Sequence, residues 1–161
     1  MIIEYDGKYD KDIINLFIEL QRHIVDLDRE GYNILTANYG HLYLKKTLEE
    51  VKKYNGKILL YKIDQDILGL VVGLINNDAE DSYDFKAPRR GRITELIVSE
   101  KKRSQGIGKK LLKAMEGYLI SQECRDVLLG VFAYNDRALK FYEENGYHVR
   151  MLEMTKKIIK D

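Results

Sequence analysis

The segment from Glu95 to Lys110 constrains the chain more than any other. Leu96-Ile97-Val98 reads as the end of a strand, Lys101-Lys102-Arg103 as a basic turn, and Gly106 and Gly108 as the opening of a helix. Leu111, Leu112, Met115 and Leu119 recur at helical spacing and mark that helix from Gly106 to Gln122. A helix start gathers several N–H groups that have no intrahelical partner, and the helix dipole adds partial positive charge there. Glycines let a phosphate approach this backbone closely, and Arg103 with the neighbouring lysines adds full charges. The same glycines would also suit a plain tight turn, with the lysines as a solvated edge. Two nucleotide-binding spellings fail: a dinucleotide fingerprint needs a small residue where Leu111 stands, and a P-loop needs Ser or Thr where Lys110 stands.

Elsewhere the periodicity predicts a strand over residues 2–5 and a helix from Asp10 carrying Ile13, Ile14, Phe17 and Ile18. Residues 26–38 read as a loop or broken helix. A second helix spans residues 39–54 and ends at Asn55-Gly56. The period then changes. Residues 58–61 and 67–75 read as strands joined by a turn at Asp64-Gln65-Asp66, and residues 93–98 as a third. The polar stretch from Asn76 to Arg90, holding the single proline, reads as a surface loop. Val127 to Val131 suits a central strand. Residues 135–145 read as a helix capped by Asn135 and stopped at Gly146, and residues 147–154 as a closing strand. The expectation is one domain over residues 1–161, of α/β (α+β) class, with a mixed sheet and helices on its faces.

With 161 residues and no Gly/Ser-rich linker there is little room for a second domain. The chain is 45% apolar and 33% charged, which excludes collagen-like and disordered classes. No apolar run approaches the roughly 18 residues of a membrane span. Residues 1–6 carry no basic leader or long apolar stretch, so a cytoplasmic location is expected. Cys124 is the single cysteine, excluding an internal disulfide and any multi-cysteine zinc site. It reads as a small buried residue late in a helix. His23, His41 and His148 lack ligand spacing, so no metal is expected. The net charge of +1 divides unevenly: residues 1–80 hold 10 Lys+Arg against 14 Asp+Glu, and residues 81–161 hold 17 against 12. That split is consistent with two partners of opposite sign, or with solvated surface alone. The basic run at 101–103 is short and lacks an aromatic platform, so nucleic acid is not an expected partner.

Arg103-x-x-Gly106-x-Gly108 after an apolar strand resembles the acetyl-CoA-binding signature of the GNAT acetyltransferase superfamily. Asn135-Asp136-Arg137-Ala138-Leu139-Lys140-Phe141-Tyr142-Glu143-Glu144-Asn145-Gly146-Tyr147 resembles that family's next motif. The matching core runs over about residues 93–154; residues 1–90 agree in element order but carry no diagnostic motif. The resemblance implies the GNAT acyl-CoA N-acyltransferase fold, a mostly antiparallel mixed sheet whose fourth and fifth strands splay apart. It implies acetyl-CoA as co-substrate and direct transfer of acetyl to a primary amine in a ternary complex. A related acyl group is a variant of that reading, and a non-catalytic acyl-CoA sensor is the alternative. A homodimer is compatible with the family.

By the same resemblance the pantetheine arm lies along Leu96, Ile97 and Val98, with an N–H near Ile97 polarising the acetyl carbonyl. The pyrophosphate falls on the amides of Ser104, Gln105, Gly106, Ile107, Gly108 and Lys109, with Arg103 adding charge. Asn135 bonds the pantetheine arm, a role that coexists with helix capping. Tyr142 is the candidate acid for the departing thiolate, or else a core tyrosine. Glu95, on a strand prone to a bulge beside the thioester, is the candidate base; it could instead face solvent or pair with Arg92. The acceptor is expected between Asp26, Asp28, Glu30 and Tyr32 on one loop and Glu80, Asp81, Tyr83 and Asp84 on another. Their acidity suits a cationic amine, whereas Pro88-Arg89-Arg90 would suit an anionic one. No Gly-x-Ser-x-Gly elbow is present to form an acyl-enzyme.

Overall fold

The computed structural model describes residues 1–76, 83 and 88–159. They form β1 (Ile2–Glu4), α1 (Asp10–Leu27), α2 (Tyr39–Lys53), β2 (Lys57–Ile63), β3 (Asp66–Asn76), β4 (Arg90–Val98), α3 (Ile107–Ser121), β5 (Asp126–Leu128) and α4 (Asp136–Glu144). The chain divides into two compact units, Met1–Gly130 and Val131–Asp161.

The first unit is built on one sheet in the order β1-β2-β3-β4-β5. Neighbours are antiparallel except β4 and β5, which run parallel. On one face Leu70, Val72 and Leu74 of β3 join Ile58 and Leu60 of β2 and Ile97 of β4. Ile13, Leu16 and Phe17 of α1 and Leu44 of α2 cover them. The opposite face takes α3. Leu111, Leu112, Met115 and Leu119 are all fully buried there. Glycines on that face let α3 lie close to the strands: a Cβ at Gly73 would sit 2.2 Å from the Met115 sulfur. The sheet is therefore mixed, mostly antiparallel and flanked by helices on both faces.

Pairing between β4 and β5 covers only Arg90↔Asp126, Gly91↔Val127 and Arg92↔Leu128. From Ile93 to Val98 the outer edge of β4 has no strand partner among the described residues. This is the divergence expected of the fourth and fifth strands. β5 differs from expectation in another respect: the apolar run at 127–131 yields a three-residue edge strand, half-buried rather than central. One short neighbour is enough to order it, and the rest of the run has no ladder to join.

In the second unit, α4 is capped as expected: the Asn135 side chain accepts from the Ala138 N–H at 3.1 Å. Gly146, with φ +91°, ends the helix, and the Tyr147 N–H returns to the Tyr142 carbonyl at 3.0 Å. The closing strand expected over residues 147–154 is not formed; these residues have no regular structure. Strand-like composition cannot supply the backbone partner a strand requires.

Candidate active site

The position of Glu95 follows from an irregularity in β4. Gly73 pairs with Ile93 and Val72 pairs with Glu95, so Thr94 is an extra residue. Without that insertion Ile93 and Glu95 would share a face. With it, Ile93 sits opposite Gly73 on the α3 side, whereas Glu95 sits opposite Val72 and faces α1 and α2. Glu95 is only 8% exposed. The Tyr43 hydroxyl on α2 donates to its Oε1. Of the alternatives open from sequence, solvent exposure does not occur, and no ion pair with Arg92 is found among the described residues.

Burial pushes the Glu95 carboxyl up to about 7; the Tyr43 hydrogen bond and the Lys46 charge act in the opposite direction, and Glu50 adds to the rise. Tyr43 is itself raised, first by burial and then by the negative charge of Glu95. Tyr39, one helical turn earlier, stacks on Tyr43 with ring centroids 5.1 Å apart. Phe17 of α1 meets the Tyr43 ring edge-on at 4.9 Å. Burial and Glu95 together push the Tyr39 phenol up to about 12. Neither tyrosine is singled out by sequence. The only available signal is their i, i+4 spacing on one helix face, which equally describes ordinary core packing.

Past Val98 the chain makes a 3-10 turn at Glu100–Lys102 and reaches α3 through two residues with positive φ, Ser104 at +64° and Gly106 at +76°. Gly106 tolerates that conformation because it has no Cβ. The Lys110 N–H donates to the Gly106 carbonyl at 3.1 Å, so the amides of Ile107, Gly108 and Lys109 precede the first intrahelical bond. Ile107 itself is buried. Arg103 is held on both sides: its Nε donates to the Val98 carbonyl at 3.2 Å, and its guanidinium lies 3.5 Å from Glu19 of α1. The Glu19 carboxylate also accepts the Glu100 N–H. The basic turn is thus tied to both β4 and α1. Leu96 and Val98 are half-buried and Ile97 is buried, with their backbones laddered to Val71, Gly69 and Leu70.

The acidic residues expected to receive the acceptor fare differently. Asp28 is occupied within its own loop: Oδ2 accepts from the Asn33 N–H at 2.7 Å and its side-chain amide at 2.8 Å, and Oδ1 accepts from the Glu30 N–H at 3.1 Å. These bonds, the Asn33 side chain first, hold its carboxyl down to about 2. Tyr32 and Tyr83 are exposed. Glu80, Asp81 and Asp84 lie outside the described residues. Arg90 is buried at the start of β4, away from the role of a free anion receptor.

In the second unit Tyr142 is half-buried and packs edge-on against Phe141 at 5.2 Å and Tyr147 at 5.6 Å. Cys124 lies just past the end of α3 rather than within it, and is buried as expected. Among the described residues no cluster of His, Cys, Asp and Glu could hold a metal ion, and no helix is long and apolar enough to cross a membrane.

A mixed sheet with diverging fourth and fifth strands, and a glycine-opened helix after the fourth, defines an α/β protein of the acyltransferase type. The chain belongs to the acetyltransferase (GNAT) family, whose family model matches residues 24–147. It is similar to N-alpha-acetyltransferase 60 of Xenopus tropicalis, 28% identical over 117 residues that cover 71% of this chain and 42% of that protein. It therefore spans less than half the length of that relative. It is also similar to the spermine/spermidine N(1)-acetyltransferase of Bacillus subtilis, 28% identical over 109 residues, covering 64% of this chain and 67% of that one. Among solved structures, a variant of the BH1408 protein from Bacillus halodurans superposes with a TM-score of 0.86 at 20% identity, covering 99% of both chains.

Proposed function

We propose that this protein is an N-acetyltransferase that moves acetyl from acetyl-CoA to a primary amine by direct attack. The observation that carries the reading is the path of the chain at β4. Its outer edge is without a strand partner among the described residues from Ile93 to Val98, and the chain then passes through a 3-10 turn and left-handed Gly106 into the start of α3. An extended pantetheine arm suits such an edge, because its amides can bond the backbone of Leu96, Ile97 and Val98 as an added strand would. The pyrophosphate suits the amides from Ser104 to Lys109, with Arg103 and Lys109 supplying positive charge. Asn135 and Tyr142 join the reading through the Asn135-to-Tyr147 motif.

In this reading Glu95 accepts a proton from the acceptor ammonium, directly or through one water, freeing the nitrogen lone pair. The amine nitrogen attacks the thioester carbonyl carbon, and an N–H near Ile97 stabilises the oxygen as charge develops on it. The C–S bond then breaks, and Tyr142 donates its phenolic proton to the departing thiolate. A buried carboxyl raised to about 7 is suited to act as a base near neutrality. The acid limb of kcat/KM should accordingly lie near pH 7, with activity rising as Glu95 ionises. The reading is of a cytoplasmic enzyme with no bound metal.

Calorimetric titration with acetyl-CoA and then CoA, with AMP as control, tests the co-substrate. Micromolar binding that Gly108→Glu abolishes would support the reading, and absence of binding would overturn it. A panel of spermidine, an aminoglycoside and a peptide with a free amino terminus, followed by thiol release, then tests catalysis. Binding without transfer to any amine would favour a sensor of acyl-CoA.

A further inference from the structure

The hydroxyl of Tyr43 lies against the carboxyl that the proposed reaction uses, yet no step of that reaction calls for it. The two residues are 52 positions apart in sequence and come together only because the extra residue in β4 turns Glu95 toward α2. Tyr43 is the one hydrogen-bond donor to this carboxyl among the described residues, and it engages Oε1 alone. Its ring has little freedom: Tyr39 stacks on one side and Phe17 meets it edge-on. The Lys46 ammonium lies 5.6 Å from the ring centroid.

We propose that Tyr43 is a positioning residue for the base, holding Glu95 by Oε1 so that Oε2 is the atom presented to the acceptor ammonium. The proposal rests on the reading of Glu95 as the base. A carboxylate held at one oxygen keeps one rotamer and one proton-accepting direction, which an unanchored glutamate would lose. The hydroxyl also favours the ionised form, because a donor hydrogen bond stabilises the charged carboxylate over the neutral acid. Among the described residues, the other charged and titratable groups facing Glu95 are Tyr39, Lys46 and Glu50, all on α2. Phe17 of α1 and Val72 of β3, which also lie on this face, are apolar. α2, which carries no family motif, thus sets the direction of the catalytic carboxyl, and its Tyr43 and Lys46 oppose the rise that burial causes.

The test is an NMR titration of protein labelled with carboxyl-13C glutamate, with Glu95 assigned by its missing signal in Glu95→Gln. Tyr43→Phe keeps the ring and removes only the hydroxyl, and retained acetyl-CoA affinity and melting temperature would certify its fold. The expected result is that the Glu95 midpoint moves up by about one pH unit. The kcat/KM profile on the best amine of the panel should move with it, so the loss is deepest at low pH and recovers in base. An unmoved midpoint overturns the proposal, as does an equal shift in Tyr39→Phe, which would assign the effect to packing. A moved midpoint in Tyr43→Phe together with a full rate in Glu95→Gln would instead remove Glu95 as base, leaving Tyr43 nothing to position. These failures are distinguishable because the first readout needs no acceptor.

Discussion

The turn from Arg103 to Lys109 and the cluster around Glu95 are assembled in opposite ways. The turn is made of consecutive residues, and of its two left-handed positions Gly106 follows from local backbone chemistry whereas Ser104 does not. The cluster draws on β4, α2 and α1, and depends on a register shift that places Glu95 opposite Val72. Apart from buried Ile107, the turn is largely exposed and carries Arg103 and Lys109, whereas the cluster is buried and its carboxyl is partly neutral at pH 7. An anion can be received by chain geometry that a short motif encodes. A tuned base needs a desolvated pocket, and only packing makes one.

If that contrast holds, damage to each region should produce a different deficit. The largest expected effect is on Glu95→Gln, which should lower kcat by about a thousandfold with acetyl-CoA affinity unchanged. Steady-state rates beside calorimetry would check this, and a wild-type rate would end the assignment. Gly108→Glu should do the reverse, weakening acetyl-CoA by about a hundredfold or more through charge and bulk at the helix start. Its melting temperature should hold, since an acidic residue suits the first turn of a helix. Tyr142→Phe should cost about ten- to a hundredfold in kcat with little change in affinity, and equal loss in both would mark it as structural.

A last effect concerns stability. Glu95 has a folded-state value raised from its ordinary 4.5 to about 7, so the native state holds the proton more tightly than the unfolded chain. Stability from this group is present at low pH and is lost as pH rises between these two values. Glu95→Gln should therefore gain about 3 kcal/mol over the natural protein at pH 8, and that gain should vanish below pH 4.5. Denaturant midpoints measured at both pH values would check the sign. A gain that is constant with pH would mean that the carboxyl is not raised on folding.

Several features of the fold were legible in the residues because each is decided by near neighbours. The face of α3, the cap at Asn135 and the stop at Gly146 all appear as expected. What failed was decided at long range. The run at 127–131 looked central because it is apolar, but it forms a short edge strand. The segment 147–154 has strand-like alternation and no strand. Asp28 is a local exception: it looked like a receptor for a cation, but its oxygens accept from Glu30 and Asn33 in its own loop. In each case composition described what a residue can do, and its neighbours chose which of those things it does.

The amino-acid sequence by itself determined the family, the order of elements through α4 and the place of the glycine-opened turn before α3. All three rest on residue identity and short spacing, which act over a turn or two of chain. Only the tertiary structure decided which way Glu95 faces, that Tyr43 reaches it, and that Arg103 is tied to Glu19 rather than free. Those depend on one inserted residue in a ladder and on helices brought in from distant positions. A carboxyl's chemistry is set by the solvent it loses and the donors it gains, and both are properties of the packed chain.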